Sequence, residues 1–260
     1  TMPLRQPSWR HIASEEVEAA VRKLRYGRTV GPDGLRGEFL KGLYVRHEYW
    51  CPEQQRMLVK HVYDTQPGSV LGELCELLNA AFGGAVPADW CATFLSAVFK
   101  KGDPAELDNY RGIAVGSCIG KVFSLVLQAR LSQWSESQGL RAAGQAGFRD
   151  GFRSSDHVFV LKHLVDRCRA PGSQHGKLYA CFVDFRKAYD LVHRDLLLRC
   201  LTDLGVRGKM LGALASMYWR APMTVKNGAT LGATFNSTRG VKQGDPLSPL
   251  LFGLFIDRFE

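Results

Sequence analysis

The chain has 260 residues, 45% of them hydrophobic and 23% charged, with a formal net charge of +9. This length buries a sizeable core in one large domain or two smaller ones, and the composition is that of an ordinary soluble globular protein. The bases are spread along the chain, which suits a polyanion such as nucleic acid, because each neutralised phosphate releases counterions.

Seven cysteines fall at 51, 75, 91, 118, 168, 181 and 200, with no C-x-x-C pair. An odd number at irregular spacing indicates neither a zinc site nor a disulfide framework, so reduced thiols in an intracellular protein, nuclear or cytoplasmic, are expected. The first residues, TMPLRQPSWR, show no signal-peptide pattern, and the late apolar run LLFGLFI is too short to span a bilayer.

In chain order, Ser14 followed by EEVEAAVRKL reads as an N-capped helix with Val17, Ala20, Val21 and Leu24 on one face. GRTVGPDGLRGEFLKGL combines a turn with a short amphipathic segment, and SVLGELCELLNAAFGGAV is a second helix closed by Gly83 and Gly84. ATFLSAVF and YRGIAVG, joined by the polar KKGDPAELDN, predict a β-hairpin with a long tip. A long amphipathic helix follows, with Ser117 as its cap. After the loop GQAGFRDGFRSS, Ser155 or Asp156 caps the helix HVFVLKHLVDRCR. APGSQHG is an exposed turn.

KLYACFVDF does not alternate with polar residues and reads as a strand buried on both faces. RDLLLRCLTDLG and KMLGALASMYWR are helices, the first ending at Gly205. Asn227-Gly228 marks a hairpin, and SPLLFGLFIDRFE is an apolar helix. No linker is evident, and the mixture of helices and hairpins favours an α+β fold over a regular βαβ repeat.

Three stretches carry candidate chemistry. In CFVDFRKAYD, Asp184 ends the apolar run. A carboxylate at a sheet rim needs a partner: a divalent metal such as Mg²⁺, a salt bridge with Lys187, or the helix that follows. Asp190 reads as a cap or an ion-pair partner. Tyr189 stands five residues past Asp184 and either packs in the core or walls a nucleotide sugar. In RGVKQGDPLSPLLF, Gly240 and Gly244 permit unusual backbone geometry, Gln243 offers both donors and an acceptor, and Pro246 and Pro249 stiffen the start of a helix. In VFKKGDPAELDNYRGI, Lys100, Lys101 and Arg111 flank a loop where bases grip a triphosphate or simply face solvent.

These motifs, in this order, resemble a reverse transcriptase, an RNA-directed DNA polymerase of the non-LTR retrotransposon type, with group II intron enzymes as more distant relatives. The resemblance runs through YGRTVGPDGL, VFKKGDPAELDNYRGI, GQAGFRDGFRSSDHV, FVDFRKAYD and GVKQGDPLSPLLF. It implies a right-hand polymerase with fingers, a fingers β-hairpin and part of a palm. The implied division is an N-terminal extension with fingers over 1–152, the first part of the palm over 153–195, a fingers–palm connection over 196–242 and a palm helix over 243–260. It implies Asp184 as a catalytic ligand of Mg²⁺, with the backbone carbonyl of Phe185 beside it. Tyr189 would be the gate against ribonucleotides. Lys100 and Arg111 would grip the triphosphate, and Gln243 and Gly244 would lie over the incoming dNTP and the template. The implied partners are an RNA template, a DNA primer and dNTP, with no membrane, and the reaction is a two-metal in-line displacement.

Two departures stand out. Gly112 follows the Arg of NYR where the family usually has Pro, which is expected to loosen the hairpin. The family's remaining metal ligands come from an aromatic-x-Asp-Asp turn, and this sequence contains no Asp-Asp pair. The expectation is a polymerase segment that stops before that turn, lacks the thumb and any endonuclease domain, and does not polymerise alone. The competing reading is a non-catalytic nucleic-acid-binding module derived from a polymerase. A third, an unrelated Mg²⁺ phosphohydrolase, leaves QGDPLSP and the basic hairpin unexplained.

Overall fold

The computed structural model describes residues 9–170, 176–219 and 221–259. The fold is α+β. Its longest helix is α5 (Cys118–Ser137), whose Ser117 cap accepts from the Gly120 N–H at 3.0 Å. Residues 122–127 of this helix are buried on every face, so neighbours cover it on several sides there. Phe123 is fully buried, with ring centroids 6.5 Å from Phe82 and 5.7 Å from Trp90. Phe82 belongs to α3 (Val70–Gly83), capped by Ser69.

The first helix, α1 (Ser14–Lys23), docks on α5 through Val17 and Val21 and through one ion pair. Arg130 donates from Nε and Nη2 to the Glu16 carboxylate, each at 2.6 Å, and also holds the carbonyls of Arg10 and His11. The expected Ser14 cap is corrected: Ser14 is the first helical residue and Ala13 the cap position, while Glu16 reaches back to the Ala13 N–H at 2.8 Å. This is the acid half of a capping box: Glu16 serves the Ala13 N–H, and alanine offers no side-chain acceptor to the first turn.

The turn after α1 is seated by close contact. Asp33 accepts from the Cys118 N–H at 2.6 Å, and a Cβ on Gly31 would lie 2.1 Å from the Gly116 carbonyl. Short α2 (Gly37–Lys41) then leads into a hairpin of β1 (Tyr44–Cys51) and β2 (Arg56–Tyr63), paired antiparallel. Its buried anchor is Tyr63, whose hydroxyl donates to the Lys41 carbonyl at 3.0 Å.

After α4 (Ala88–Cys91) comes the predicted hairpin, β3 (Thr93–Phe99) with β4 (Tyr110–Gly116). Its register runs unbroken through Gly112 opposite Ala97, so the expected loosening there is absent. The sheet order is β4-β3-β5-β6. Strands β5 (Pro222–Asn227) and β6 (Thr230–Asn236) form the second predicted hairpin, turning at Gly228 with φ +60. The two hairpins join by a parallel pairing of β3 with β5, which the long intervening helical excursion permits.

The α6 helix (Ser154–Arg169) is solvent-exposed, and Asp156 bonds back to the Arg153 N–H at 2.8 Å. Five of the seven residues of the expected APGSQHG turn, 171–175, lie outside the described residues. Helices α7 (Arg194–Asp203), α8 (Gly208–Trp219) and α9 (Ser248–Ile256) complete the core with Leu197, Met210, Leu214, Leu251 and Leu254. Buried Arg141 donates to buried Asp257 at 2.7 Å and closes the end of α9. All seven thiols are free. Among the described residues no helix is long and apolar enough to cross a membrane.

One predicted element is corrected. Residues 177–185, read as a strand buried on both faces, form no ladder and are exposed, with Tyr179 87% and Phe182 84% accessible. A strand exists only as one side of a hydrogen-bonded pair. No described segment forms a ladder with this one, so its apolar run stays outside the core.

Replacing Phe123 by Ala leaves a cavity between two rings and should cost about 3–5 kcal/mol, read by chemical denaturation. Glu16 supplies a pH signature. Burial works to raise its pKa, but the Arg130 and Ala13 hydrogen bonds outweigh burial and hold it below the ordinary carboxylate range. Its stabilisation is in place above the ordinary glutamate pKa and is lost as pH falls through the lowered folded value. Glu16→Gln should flatten the acid limb of the stability curve, with little change of slope near neutrality.

Candidate active site

Of the predicted site residues, Tyr189, Gln243 and Gly244 come together beside one hairpin, whereas Asp184, Lys100 and Arg111 stay apart from them. The meeting point is a backbone junction at the base of β4. The Ala114 N–H donates to the Gln243 carbonyl at 2.7 Å, and Gly244, at φ +113, approaches so closely that a Cβ would lie 2.8 Å from the Ala114 carbonyl. Only glycine fits that conformation and that contact without strain. From the other side, the Val241 N–H donates to the Tyr189 carbonyl at 2.9 Å and the Gly240 N–H to the Val192 carbonyl at 2.8 Å. Gln243 Nε2 donates to Asp190 Oδ1 at 3.0 Å. The loop of residues 240–244 is thus bonded to β4 on one side and to the 189–192 turn on the other.

Tyr189 is half-buried, edge-on to Phe252 of α9 at 5.0 Å between centroids, and burial raises its hydroxyl pKa. Asp190 does not cap α7, whose cap position is His193; its carboxylate orients the Gln243 amide instead. A cavity of about 440 Å³ opens here between Leu95, Gly112, Asp190, Arg194 and Gln243.

Three charged residues that sequence reasoning passed over hold this junction. Arg194 is buried and donates from Nε to the Gly240 carbonyl at 2.9 Å, and from its two Nη atoms to Tyr218 O, Arg239 O, Ser237 O and Ser237 Oγ. Lys242 is 5% exposed, donates to the Cys91 carbonyl at 2.8 Å, and has its ammonium pKa lowered by burial, with Asp245 acting the other way. Asp245 accepts from Ser124 Oγ at 2.9 Å and from the Leu247 N–H at 2.8 Å, fixing the start of α9. The available signal was position: Lys242 and Asp245 flank Gln243-Gly244 in a loop that must fold back into the core.

A second set of contacts lies at the hairpin tip. Asp108 accepts from Arg186 Nη2 at 2.9 Å and from Lys187 Nζ at 2.8 Å. The Lys187 hydrogen bond and charge, followed by Arg186, hold the Asp108 pKa below its ordinary range. Lys187 therefore pairs with the tip and not with Asp184. Asp184 is exposed, and among the described residues its carboxylate has no hydrogen bond or ion pair; Phe185 beside it is exposed as well. Lys100 and Arg111, at the end of β3 and the start of β4, are exposed, with no ion-pair partner among the described residues.

A metal fits this arrangement only in part. Among the described residues no three His, Cys, Asp or Glu side chains converge. Asp184 is one accessible carboxylate, and one carboxylate does not make a Mg²⁺ site without further ligands. A separate cavity of about 470 Å³ lies between the 24–37 segment, β4 and the start of α5, with Arg25, Arg28, Arg36 and Lys121 among its lining residues.

A hairpin carrying bases, a glycine loop seated on its edge and a Tyr-Asp turn bonded to that loop thus lie together. The family model for Reverse transcriptase (RNA-dependent DNA polymerase) matches residues 98–260. The chain belongs to the reverse transcriptase family. It is 27% identical over 253 residues to the Transposon TX1 uncharacterized 149 kDa protein of Xenopus laevis, covering 95% of this chain and 17% of that protein. It is 29% identical over 176 residues to the Retrovirus-related Pol polyprotein from type-1 retrotransposable element R2 of Popillia japonica, covering 67% of this chain and 24% of that one. It is also 29% identical over 171 residues to the Probable RNA-directed DNA polymerase from transposon X-element of Drosophila melanogaster, covering 65% of this chain and 18% of that protein. The chain thus spans 17–24% of the length of these curated relatives.

Exposed ion pairs add little to global stability. Asp108→Asn should shift the melting temperature by less than about 3 °C while raising amide exchange across residues 100–109. A large loss of global stability would mean that the tip contact carries more of the fold than its exposure allows.

Proposed function

We propose that this chain is the fingers and first palm portion of an RNA-directed DNA polymerase of a non-LTR retrotransposon, which extends a primer 3′-hydroxyl with dNTPs on an RNA template. The observation that carries this reading is the junction of Gln243 and Gly244 with β4 and with Tyr189-Asp190. It gathers the nucleotide-facing residues of the resemblance around one hairpin. The division into an extension with fingers over 1–152, palm over 153–195, connection over 196–242 and palm helix over 243–260 belongs to the same proposal, as does an intracellular location, nuclear or cytoplasmic.

In this reading Lys100 and Arg111 grip the triphosphate from the exposed end of the hairpin. Tyr189 presents its ring edge beside the sugar, and the Gln243 amide, oriented by Asp190, faces the base pair with Gly244. The basic cavity beside the 24–37 segment suits a phosphodiester backbone. Asp184, with the Phe185 carbonyl beside it, contributes one carboxylate toward Mg²⁺. Divalent ions, when bound, supply charge neutralisation at the transferring phosphoryl group. With no Asp-Asp pair in the sequence, the 260 residues alone hold the metal weakly and extend no primer.

One observation favours a second reading, a nucleic-acid-binding module without chemistry. Asp184 is exposed, and no cluster of metal-ligating side chains surrounds it among the described residues. Primer extension on an RNA template with Mg²⁺ decides between the two. The isolated chain should show RNA binding that weakens steeply with salt and no extension. A longer polymerase carrying this segment should extend, and Asp184→Asn should lower its rate by about a hundredfold or more. Asp184-dependent extension by the 260 residues alone would overturn the inactivity, and a longer chain that binds but never extends would favour the module.

A further inference from the structure

Arg194, outside the residues given nucleotide-facing roles, makes an extensive set of hydrogen bonds among the described residues. It is buried, and its fork of N–H donors is met entirely by neutral acceptors: three carbonyls and one hydroxyl of residues 237–240, and the carbonyl of Tyr218. Its guanidinium also lies 5.7 Å from the Tyr218 ring centroid. No carboxylate shares in this set. Burial works against its charge and lowers its pKa, so the contacts hold a cation that desolvation disfavours. A lysine has neither the number nor the fixed fork of donors to replace it.

Those acceptors lead directly into the nucleotide junction. Gly240, whose carbonyl Arg194 holds at 2.9 Å, has φ +84, and a Cβ there would lie 2.8 Å from the Asp190 carbonyl. The next residues bond to Tyr189 and, through Gln243, to Asp190. Arg194 is itself only a few residues past that turn on the same stretch of chain. One guanidinium therefore ties the loop that bears Gln243 to the turn that bears Tyr189.

We infer that Arg194 is a positioning residue that fixes the spacing between Tyr189 and Gln243 and so sets the discrimination between deoxyribo- and ribonucleoside triphosphates. This role rests on the polymerase reading above, whereas the clamp on the loop does not. A steric gate selects by a difference of one hydroxyl, so a small retreat of the tyrosine from the base-facing loop relaxes selection before it abolishes synthesis.

Two measurements test it. In the 260-residue chain, Arg194→Lys and Arg194→Gln should speed amide exchange at Gly240 and Val241 by about tenfold, the order expected for losing charge-assisted hydrogen bonds. Amides of α5 serve as the folding control and should not change. Unaltered protection at Gly240 and Val241 would overturn the clamp. In a longer active polymerase carrying the segment, Arg194→Lys should lower the ratio of kcat/KM for dNTP over the matching rNTP by about tenfold, with primer–template affinity unchanged. In a Tyr189→Val background the same substitution should leave that ratio unmoved, because the gate it positions is gone. Equal losses for both sugars, or a further change in the Tyr189→Val background, would reduce Arg194 to a structural residue. If the wild-type polymerase extends nothing, the polymerase reading falls and the selectivity role with it, while the exchange result still decides the clamp.

Discussion

Much of this structure depends on how one loop is held. Residues 237–245 cross between the two hairpins and the helical core without secondary structure of their own, so their backbone groups must find partners elsewhere. Two buried cations supply or anchor them. Arg194 gathers the carbonyls at the start of the loop, and Lys242 reaches through to the Cys91 carbonyl beyond it, 6.0 Å from the centroid of the Tyr218 ring that Arg194 also faces. Buried charges of this kind are costly to desolvate, and removing their acceptors would leave them unmet. The loop therefore has little freedom, and what it touches inherits that rigidity: β4 at Ala114, the turn at Tyr189, and the start of α9 through Asp245.

The corner that carries Asp184 is held differently. Its links to the hairpin are the exposed pairs from Arg186 and Lys187 to Asp108. Solvent and salt screen such pairs, and each contributes little. The molecule thus joins a junction built from buried backbone bonds to a carboxylate corner attached by surface charge. That contrast suits the separate parts the two play in the proposed reaction. In that reading placement of base and sugar requires a fixed geometry, whereas Asp184 would be one member of a ligand set.

Much of the architecture was legible from pattern. The helices with one apolar face, the Ser117 cap, the hairpin around KKGDPAELDN and the Asn227-Gly228 turn all follow from local chemistry that the fold leaves in place. The β1–β2 hairpin was missed because its strands, YVRHEYWC and RMLVKHVY, group apolar and charged residues in blocks and show no period of two, and pairing between strands is not visible in either strand alone. The Ser14 cap failed because the helix begins one residue earlier, which puts Ser14 inside the first turn and Ala13 at the cap position. KLYACFVDF failed for the opposite reason: its strand propensity is real, but propensity makes no ladder without a neighbour.

The sequence by itself determined the kind of protein. The order of its motifs and the residue types within them are properties of the chain, and they carried the family before any contact was known. Only the tertiary structure decided which residues do the holding. Arg194 lies outside every motif and Lys242 stands unremarked inside one, because a buried arginine and a buried lysine look like ordinary charges until the acceptors around them are placed. Those acceptors are mostly backbone carbonyls, which every residue possesses. Their convergence on one guanidinium is a fact of three-dimensional closure that no local pattern encodes.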